Sequence, residues 1–196
     1  MKNMKKLWLL VLVFGIGTLL VSCGEDEDVP EAENEEEIIT DVTLTFAARG
    51  ETVVASAQDP DGEGPQDIEV SDAISLSPNT TYTLTLDLEN AVEGESITEE
   101  IEEEDDEHMF FFAFTDGIFV DPSGNGNADS RSDAVNYEDS DDNGFPVGLT
   151  TTWTTGDAAN GTFRVILKHQ PDIKTATSGS TDGESDIDLT WNIAIQ

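Results

Sequence analysis

The two histidines of the chain, His108 and His169, are the side chains best suited to bind a ligand. His108 follows the segment 93–107, in which ten of fifteen residues are acids. Imidazole nitrogens suit zinc and copper, whereas carboxylates alone suit calcium or magnesium. Each histidine lies at one end of a segment with a strand-like sequence. We therefore expect the two to converge if those strand ends lie at the same rim of the domain. This pattern predicts a zinc or copper site formed by His108, His169, Glu107 and Asp106. The alternative is that both histidines are solvated and that the acids form a disordered loop.

A second candidate is a calcium site in the segment 139–144, which reads Asp-Ser-Asp-Asp-Asn-Gly. Asp139, Asp141 and Asn143 would supply oxygens at alternate positions, as in the first half of an EF-hand loop. The twelfth position of such a loop is Thr150, which cannot act as the bidentate acid, and no flanking helices are predicted. The same residues also suit a hairpin turn, because Asn and Gly accept positive φ angles. Calcium binding and a simple turn both stay open as interpretations.

We expect a protein that is not an enzyme. The chain has no His-Glu-x-x-His motif, no Gly-x-Ser-x-Gly motif, no phosphate-binding glycine loop and no free catalytic cysteine. Its 43 acids offer carboxylate pairs at every spacing, so none can be singled out for glycoside hydrolysis. Trp153 and Trp191 lie within alternating segments and are predicted in the core; exposed on a sandwich edge, they would suit stacking on carbohydrate.

Alternation of apolar and polar residues predicts strands along most of the chain beyond residue 38. Clear examples are the segments 42–46, 80–89, 161–168 and 186–195, with shorter candidates at 52–57, 67–76, 133–138 and 147–154. Period-two patterns rich in β-branched and aromatic residues are typical of half-buried strands. Turn sequences rich in Pro, Asn, Asp and Gly separate them. We predict an all-β domain over residues 38–196, an antiparallel β-sandwich with an immunoglobulin-like layout.

Two segments do not follow this alternation and need a separate interpretation. The run Met109–Phe114 is continuously apolar, which predicts a central strand buried on both faces. The segment Glu99–Glu107 is polar all round, and its like charges are expected to prevent a helix. No other window predicts an amphipathic helix of useful length.

The first 23 residues carry the pattern of a secretory signal. Three lysines precede the apolar run 7–22, which is 16 residues long and contains two glycines. A membrane-spanning helix needs about 20 apolar residues, so cleavage is favoured over retention. The sequence Leu-Val-Ser-Cys at 20–23 matches the lipobox of bacterial lipoproteins. We therefore predict a signal peptide over residues 1–22 and lipidation of Cys23, which is the only cysteine.

The segment 23–37 is nearly all acid after Cys23 and predicts an extended, self-repelling and disordered linker. Without the signal peptide, five basic residues stand against 43 acids, a formal charge of −38. Such a charge excludes nucleic acid as a partner, because phosphates would be repelled. It suits solubility, accumulation of cations and steering of basic partners.

The chain resembles a group of small outer-membrane lipoproteins of the Bacteroidota. The resemblance rests on the lipobox, the acidic linker and the segments 106–112, 139–149, 167–174 and 186–191, of which His-Gln-Pro at 169–171 is the most distinctive. Some members carry the label of a type 1 periplasmic binding fold, but this chain is too short and lacks alternating strands and helices. The resemblance implies an anchor in the outer membrane, export to the cell surface and work beside a TonB-dependent transporter.

These observations favour a surface lipoprotein that captures a ligand, such as a transition metal, for an outer-membrane transporter. The alternative is an adhesive or structural surface module that binds calcium or carbohydrate. Convergence of His108 and His169 would favour the first function over calcium-dependent adhesion, and an exposed aromatic face would favour carbohydrate.

Overall fold

The computed structural model describes residues 38–59 and 68–196. The predicted signal peptide, Cys23 and the acidic linker lie outside the described residues. Twelve strands and one short helix make up the regular structure of the described part of the chain. No helix in that part is long and apolar enough to cross a membrane. The prediction of an all-β domain is confirmed.

The elements follow one another in chain order. The first seven are β1 (Asp41–Ala48), β2 (Glu51–Gln58), β3 (Glu69–Val70), β4 (Ile74–Leu76), β5 (Thr81–Asn90), β6 (Glu95–Ser96) and α1 (Ile97–Glu103). The other six are β7 (His108–Phe114), β8 (Phe119–Asp121), β9 (Asn136–Tyr137), β10 (Thr150–Thr155), β11 (Ala159–His169) and β12 (Glu184–Ile195). The candidates at 67–76 and 133–138 thus form only strands of two or three residues.

The strands form two sheets. The larger has the order β3-β2-β1-β5-β10-β8, with β6 beside β5 and β9 beside β10, and the smaller has the order β4-β12-β11-β7. The pairings β5-β10-β8 and β7-β11-β12 match strands B-E-D and C-F-G of an immunoglobulin-like sandwich, with β1 in the position of strand A. All pairings are antiparallel except that of β4 with β12, which is parallel.

Alternating side chains form the core between the sheets. Val42, Leu44 and Phe46 of β1 are fully buried, as are Tyr82 and Leu84 of β5. This confirms the half-buried strands that the alternation in segments 42–46 and 80–89 predicts. The register sets Leu44 opposite Leu86 and Phe46 opposite Leu84 in the β1-β5 pair, so apolar side chains meet across the strands.

Both tryptophans predicted for the core are fully buried there. The ring of Trp153 lies 5.3 Å from that of Phe112 and 5.2 Å from that of Phe163, centroid to centroid. Because Trp153 belongs to β10 and the two phenylalanines to β7 and β11, these edge-on contacts join the two sheets. Among the described residues, no aromatic side chain forms an exposed face for stacking.

The strand β7 is buried on both faces, as predicted, but it is the last strand of its sheet rather than a central one. Its free edge is covered by the long segment between β8 and β10. Phe112 exchanges hydrogen bonds with Asn127, and the Phe110 N–H donates to the Val147 carbonyl at 2.7 Å. On the outer face, Met109 and Phe111 pack in a small second core. The apolar run correctly predicts that β7 is buried. A loop covers its edge, where a neighbouring strand was expected.

The helix α1 corrects the prediction that segment 99–107 would not be helical. Ser96 caps it, accepting a hydrogen bond from the Glu99 N–H at 3.3 Å, and acids in its first turn favour the positive end of the helix dipole. Ile97 and Ile101, four residues apart, are both buried. The cap and this apolar pair therefore outweigh the repulsion among the acids.

Candidate metal site

The histidine pair closes a cross-strand ladder on the inner face of β7 and β11. His108 stands directly opposite His169, and the next inward pair on the same face is Phe110 with Leu167. His108 is fully buried and His169 is 5% exposed. The expectation that the two histidines converge at one rim is confirmed. The interpretation that both are solvated strand ends is wrong, because the core continues up to them.

The two imidazole rings lie parallel to each other. Their centroids are 4.5 Å apart and their planes differ by 10°. Because the pair is set by antiparallel register, with packed side chains beneath it, the positions of both rings depend on the sheet rather than on a loop.

Hydrogen bonds to oxygen assign the protonated nitrogen of each ring. Nδ1 of His108 lies 3.1 Å from the Glu104 carbonyl oxygen, which can only accept, so Nδ1 carries the hydrogen. Nε2 of His169 lies 3.2 Å from Oε2 of Glu107, and the ionised carboxylate again accepts. Nε2 of His108 and Nδ1 of His169 are then the basic nitrogens. Metal-binding histidines commonly show this outer hydrogen bond to a carbonyl or carboxylate, which fixes the tautomer.

Glu104 supplies a third donor beside the rings. One ligand atom from each of Glu104, His108 and His169 lies within 4.8 Å of the other two. Ligands around a tetrahedral zinc ion are about 3.3 Å apart, given bonds near 2.0–2.1 Å. The three groups would therefore have to approach one another by up to about 1.5 Å to bind a metal. Glu104 is exposed at the end of α1, so its side chain can move.

The acids predicted as ligands have different positions in the structure. Glu107 contacts His169 through the carboxylate and so orients the ring, while Asp106 is exposed in the same turn and lies outside the cluster. Glu104 was not predicted. It is the C-cap residue of α1, and the turn 104–107 joins it to His108, the first residue of β7. It was missed because the sequence did not predict a helix that ends at this point.

Negative charge is concentrated where α1 ends. The last turn of the helix contains no basic residue, and Glu102, Glu103 and Glu104 stand there against the negative end of the helix dipole. This arrangement is unfavourable for the helix alone. A cation bound beside Glu104 would relieve it.

Lys174 holds the turn that follows α1. Its ammonium group donates to the Asp105 carbonyl and lies 3.1 Å from Oδ2 of Asp141, with both side chains at most 1% exposed. Burial lowers the pKa of Lys174, and the hydrogen bond and charge of Asp141 oppose that shift. The Gln170 N–H also donates to the Glu107 carbonyl at 2.6 Å. The segment after His169 therefore fixes residues 105–107 beside the rings.

The residues predicted to bind calcium have other partners. Asp139 accepts hydrogen bonds from the Gly148 and Thr150 N–H groups, at 2.8 Å and 3.0 Å. Oδ1 of Asp141 accepts from the main-chain N–H groups of Asn143 and Phe145, while Oδ2 faces Lys174. These carboxylates stabilise a turn and neutralise an ammonium group. Calcium binding at Asp139, Asp141 and Asn143 stays a prediction, and an ion bound to Oδ2 of Asp141 would have to displace Lys174.

No protein-family model, curated protein or solved structure matches the chain. The class of protein is therefore defined by its own features: an all-β sandwich of two sheets, with a cluster of two histidines and a glutamate at one rim.

Proposed function

We propose that this protein is a surface-anchored lipoprotein that captures a divalent transition-metal ion, zinc or copper, as an accessory module for an outer-membrane transporter. The observation that carries the proposal is the placement of Glu104, His108 and His169 within 4.8 Å of one another. Two buried imidazoles with assigned basic nitrogens and one movable carboxylate make a donor set for such an ion.

The donor chemistry favours zinc or copper(II). Imidazole nitrogen suits both ions, whereas a site for calcium or magnesium would be built from oxygens. The only cysteine is Cys23, the residue predicted to carry lipid, so no thiolate is available to favour copper(I). Three protein ligands leave a fourth position open, which suits a metal that must later be released.

The charge of the protein supports capture. A formal charge near −38 draws cations toward the surface and raises their local concentration. The acids at the end of α1 extend this field to the rim that holds the histidines. The buried rings then supply the selectivity that a field of carboxylates lacks.

The predicted signal peptide, Cys23 and acidic linker support the surface location and the transporter partner, together with the resemblance to Bacteroidota lipoproteins. Stable anchoring requires more than one acyl chain, a condition that the lipidated cysteine of bacterial lipoproteins meets. A Cys23→Ala variant should leave the membrane fraction for the soluble fraction. Unchanged membrane retention would contradict the anchor.

Calorimetry with zinc chloride and with copper chloride tests the metal site on the purified chain after removal of metals by chelator. His169→Ala and Glu104→Gln should each weaken binding at least about tenfold, the lower end of the range for disturbed metal sites. Glu103→Gln is the matched control, because it removes one exposed acid from the same turn without touching the cluster, and it should bind as the wild type does.

Glu104→Gln makes this test independent of folding, since Glu104 is exposed and its main-chain carbonyl is unchanged. Wild-type protein that binds neither metal would end the proposal. Equal weakening by Glu103→Gln and Glu104→Gln would mean that the loss of metal affinity comes from the change in net charge and not from a missing ligand.

A further inference from the structure

A large cleft lies on the larger sheet, lined by residues that play no part in the histidine cluster. Its volume is about 1080 Å³, and β8, β9 and β10 contribute to its walls together with the segments 130–135 and 176–177. Clefts that hold small molecules commonly have volumes of this order. The cleft is therefore large enough for a ligand of one or a few sugar rings.

The polar groups of the cleft are held in place. The Asn136 amide donates to the Asp121 carboxylate at 3.0 Å and to the Thr152 carbonyl at 3.3 Å. The Glu138 carboxylate accepts the Thr152 hydroxyl at 2.7 Å through Oε1, so Oε2 can accept from a ligand. The Tyr137 hydroxyl donates to the Phe110 carbonyl at 2.6 Å, which fixes the ring that lines the cleft. Such prior fixing lowers the entropy cost of binding.

Arg131 adds a donor to these acceptors. It is one of only five basic residues beyond the predicted signal peptide, and it lies in the wall of the cleft. Its Nε is buried and has no hydrogen-bond partner among residues 38–59 and 68–196. That N–H is closed off from solvent, so a ligand in the cleft would be bound by the other four N–H donors of the guanidinium.

The charges of the lining select the chemical class of ligand. Asp121, Asp133 and Glu138 would repel an anion, while an ammonium group, which only donates hydrogen bonds, could not accept one from Arg131. Ionised carboxylates only accept hydrogen bonds and a guanidinium only donates them. A hydroxyl group does both, so a neutral ligand with several neighbouring hydroxyls matches the whole lining.

We propose that this cleft binds a neutral saccharide, with Glu138 accepting from sugar hydroxyls and Arg131 donating to sugar oxygens. This binding is separate from metal capture at the histidine cluster. Tyr137 is the one aromatic residue among the described residues that line the cleft, so hydrogen bonds rather than ring stacking supply most of the affinity.

Saturation-transfer NMR and calorimetry test the proposal on the full chain with glucose, galactose, mannose, xylose and their short oligomers. Glucuronic acid and glucosamine serve as anionic and cationic comparisons. At least one neutral sugar should bind, and Arg131→Gln and Glu138→Gln should each weaken its binding by at least about tenfold, as expected for loss of a charged hydrogen-bond partner. The matched controls are Arg164→Gln, which changes a half-buried arginine elsewhere, and Glu69→Gln, which changes an exposed glutamate elsewhere, and both should leave binding unchanged.

Three results would overturn the proposal: no binding of any neutral sugar, preferential binding of glucuronic acid or glucosamine, or equal losses in the control variants. Glu104→Gln should leave sugar binding unchanged, so failure of the metal site and failure of the cleft give different results.

Discussion

The imidazole rings of His108 and His169 are parallel, with centroids 4.5 Å apart, because the two residues are register partners where β7 begins and β11 ends. Each ring is also held from outside by an oxygen, the Glu104 carbonyl for His108 and the Glu107 carboxylate for His169. These contacts orient the two rings. Because the lone pairs of the ring nitrogens lie in the ring planes, two parallel rings cannot both face one ion, so one ring must turn and Glu104 must move when a metal binds. The site combines histidines positioned by the sheet with an adjustable carboxylate at the end of α1.

Gly183, in the loop just before β12, packs against the main chain of His169, and Gly183→Ala should displace that histidine. The φ angle of Gly183 is +74°, and a Cβ atom there would lie 2.0 Å from the His169 carbonyl oxygen. We expect the variant to lose more than about 1 kcal/mol of unfolding free energy, the strain of a left-handed residue alone, and to bind zinc more weakly. Urea unfolding and zinc calorimetry measure the two effects.

Gly179→Ala is the control for this change. It lies in the same loop, and the nearest atom to its added Cβ would be 4.0 Å away. Its stability and zinc affinity should match those of the wild type. Zinc affinity unchanged in Gly183→Ala would show that the position of His169 does not govern the site.

Replacing the two buried lysines, Lys168 and Lys174, by methionine should lower the free energy of unfolding by different amounts. Lys174 pairs with the buried Asp141, so Lys174→Met leaves that carboxylate without its counter-charge and should cost about 3 kcal/mol. Lys168 donates to the uncharged Ser185 hydroxyl at 2.9 Å, and its replacement leaves no carboxylate unpaired, so Lys168→Met should cost only about 1.5 kcal/mol. Methionine keeps the apolar stem in both cases. Chemical unfolding of both variants compares them, and equal losses would contradict the importance of the ion pair.

The sequence predicts the sheets well and the site only in part. Alternation identified the inner faces of β1 and β5, and the acidic segment before His108 marked the rim. The alternation also placed each histidine at one end of a predicted strand, which is why we expected the two to converge. The register that makes them direct partners depends on tertiary pairing, which alternation alone does not reveal.

Two features were missed for identifiable physical reasons. The helix α1 is too short to show a periodic apolar face, and its stability comes from packing of Ile97 and Ile101 against the core rather than from propensity. Lys174 gave no signal, because a lone lysine in a polar segment is usually exposed. Its burial depends on Asp141, 33 positions earlier in the chain, which no local pattern connects to it.

Packing of α1 against the core should be required for full metal affinity. Ile101 is fully buried, so Ile101→Ala should cost about 2–4 kcal/mol and loosen the helix that positions Glu104. Zinc affinity should fall while both histidines remain in the sheet. Glu102→Ala, an exposed change in the same helix, is the control and should alter stability by no more than about 0.5 kcal/mol. Equal stability of the two variants would refute the packing role.

Asp105 offers a test of charge with a defined pH dependence. Burial, followed by the charge of Asp141, raises the pKa of Asp105, so its ionised form is penalised in the folded protein. That penalty is complete above the raised pKa, and it disappears at pH values below the pKa of the unfolded chain, where the group is protonated in both states.

Asp105→Asn removes the penalty and retains the main-chain carbonyl that Lys174 bonds, so at pH 7 it should stabilise the fold by up to about 0.5 kcal/mol. Thermal unfolding over a pH series should show this gain at neutral pH and its loss on acidification. A variant that is less stable than the wild type at pH 7 would mean that the Asp105 carboxylate supports Lys174 more than it repels Asp141.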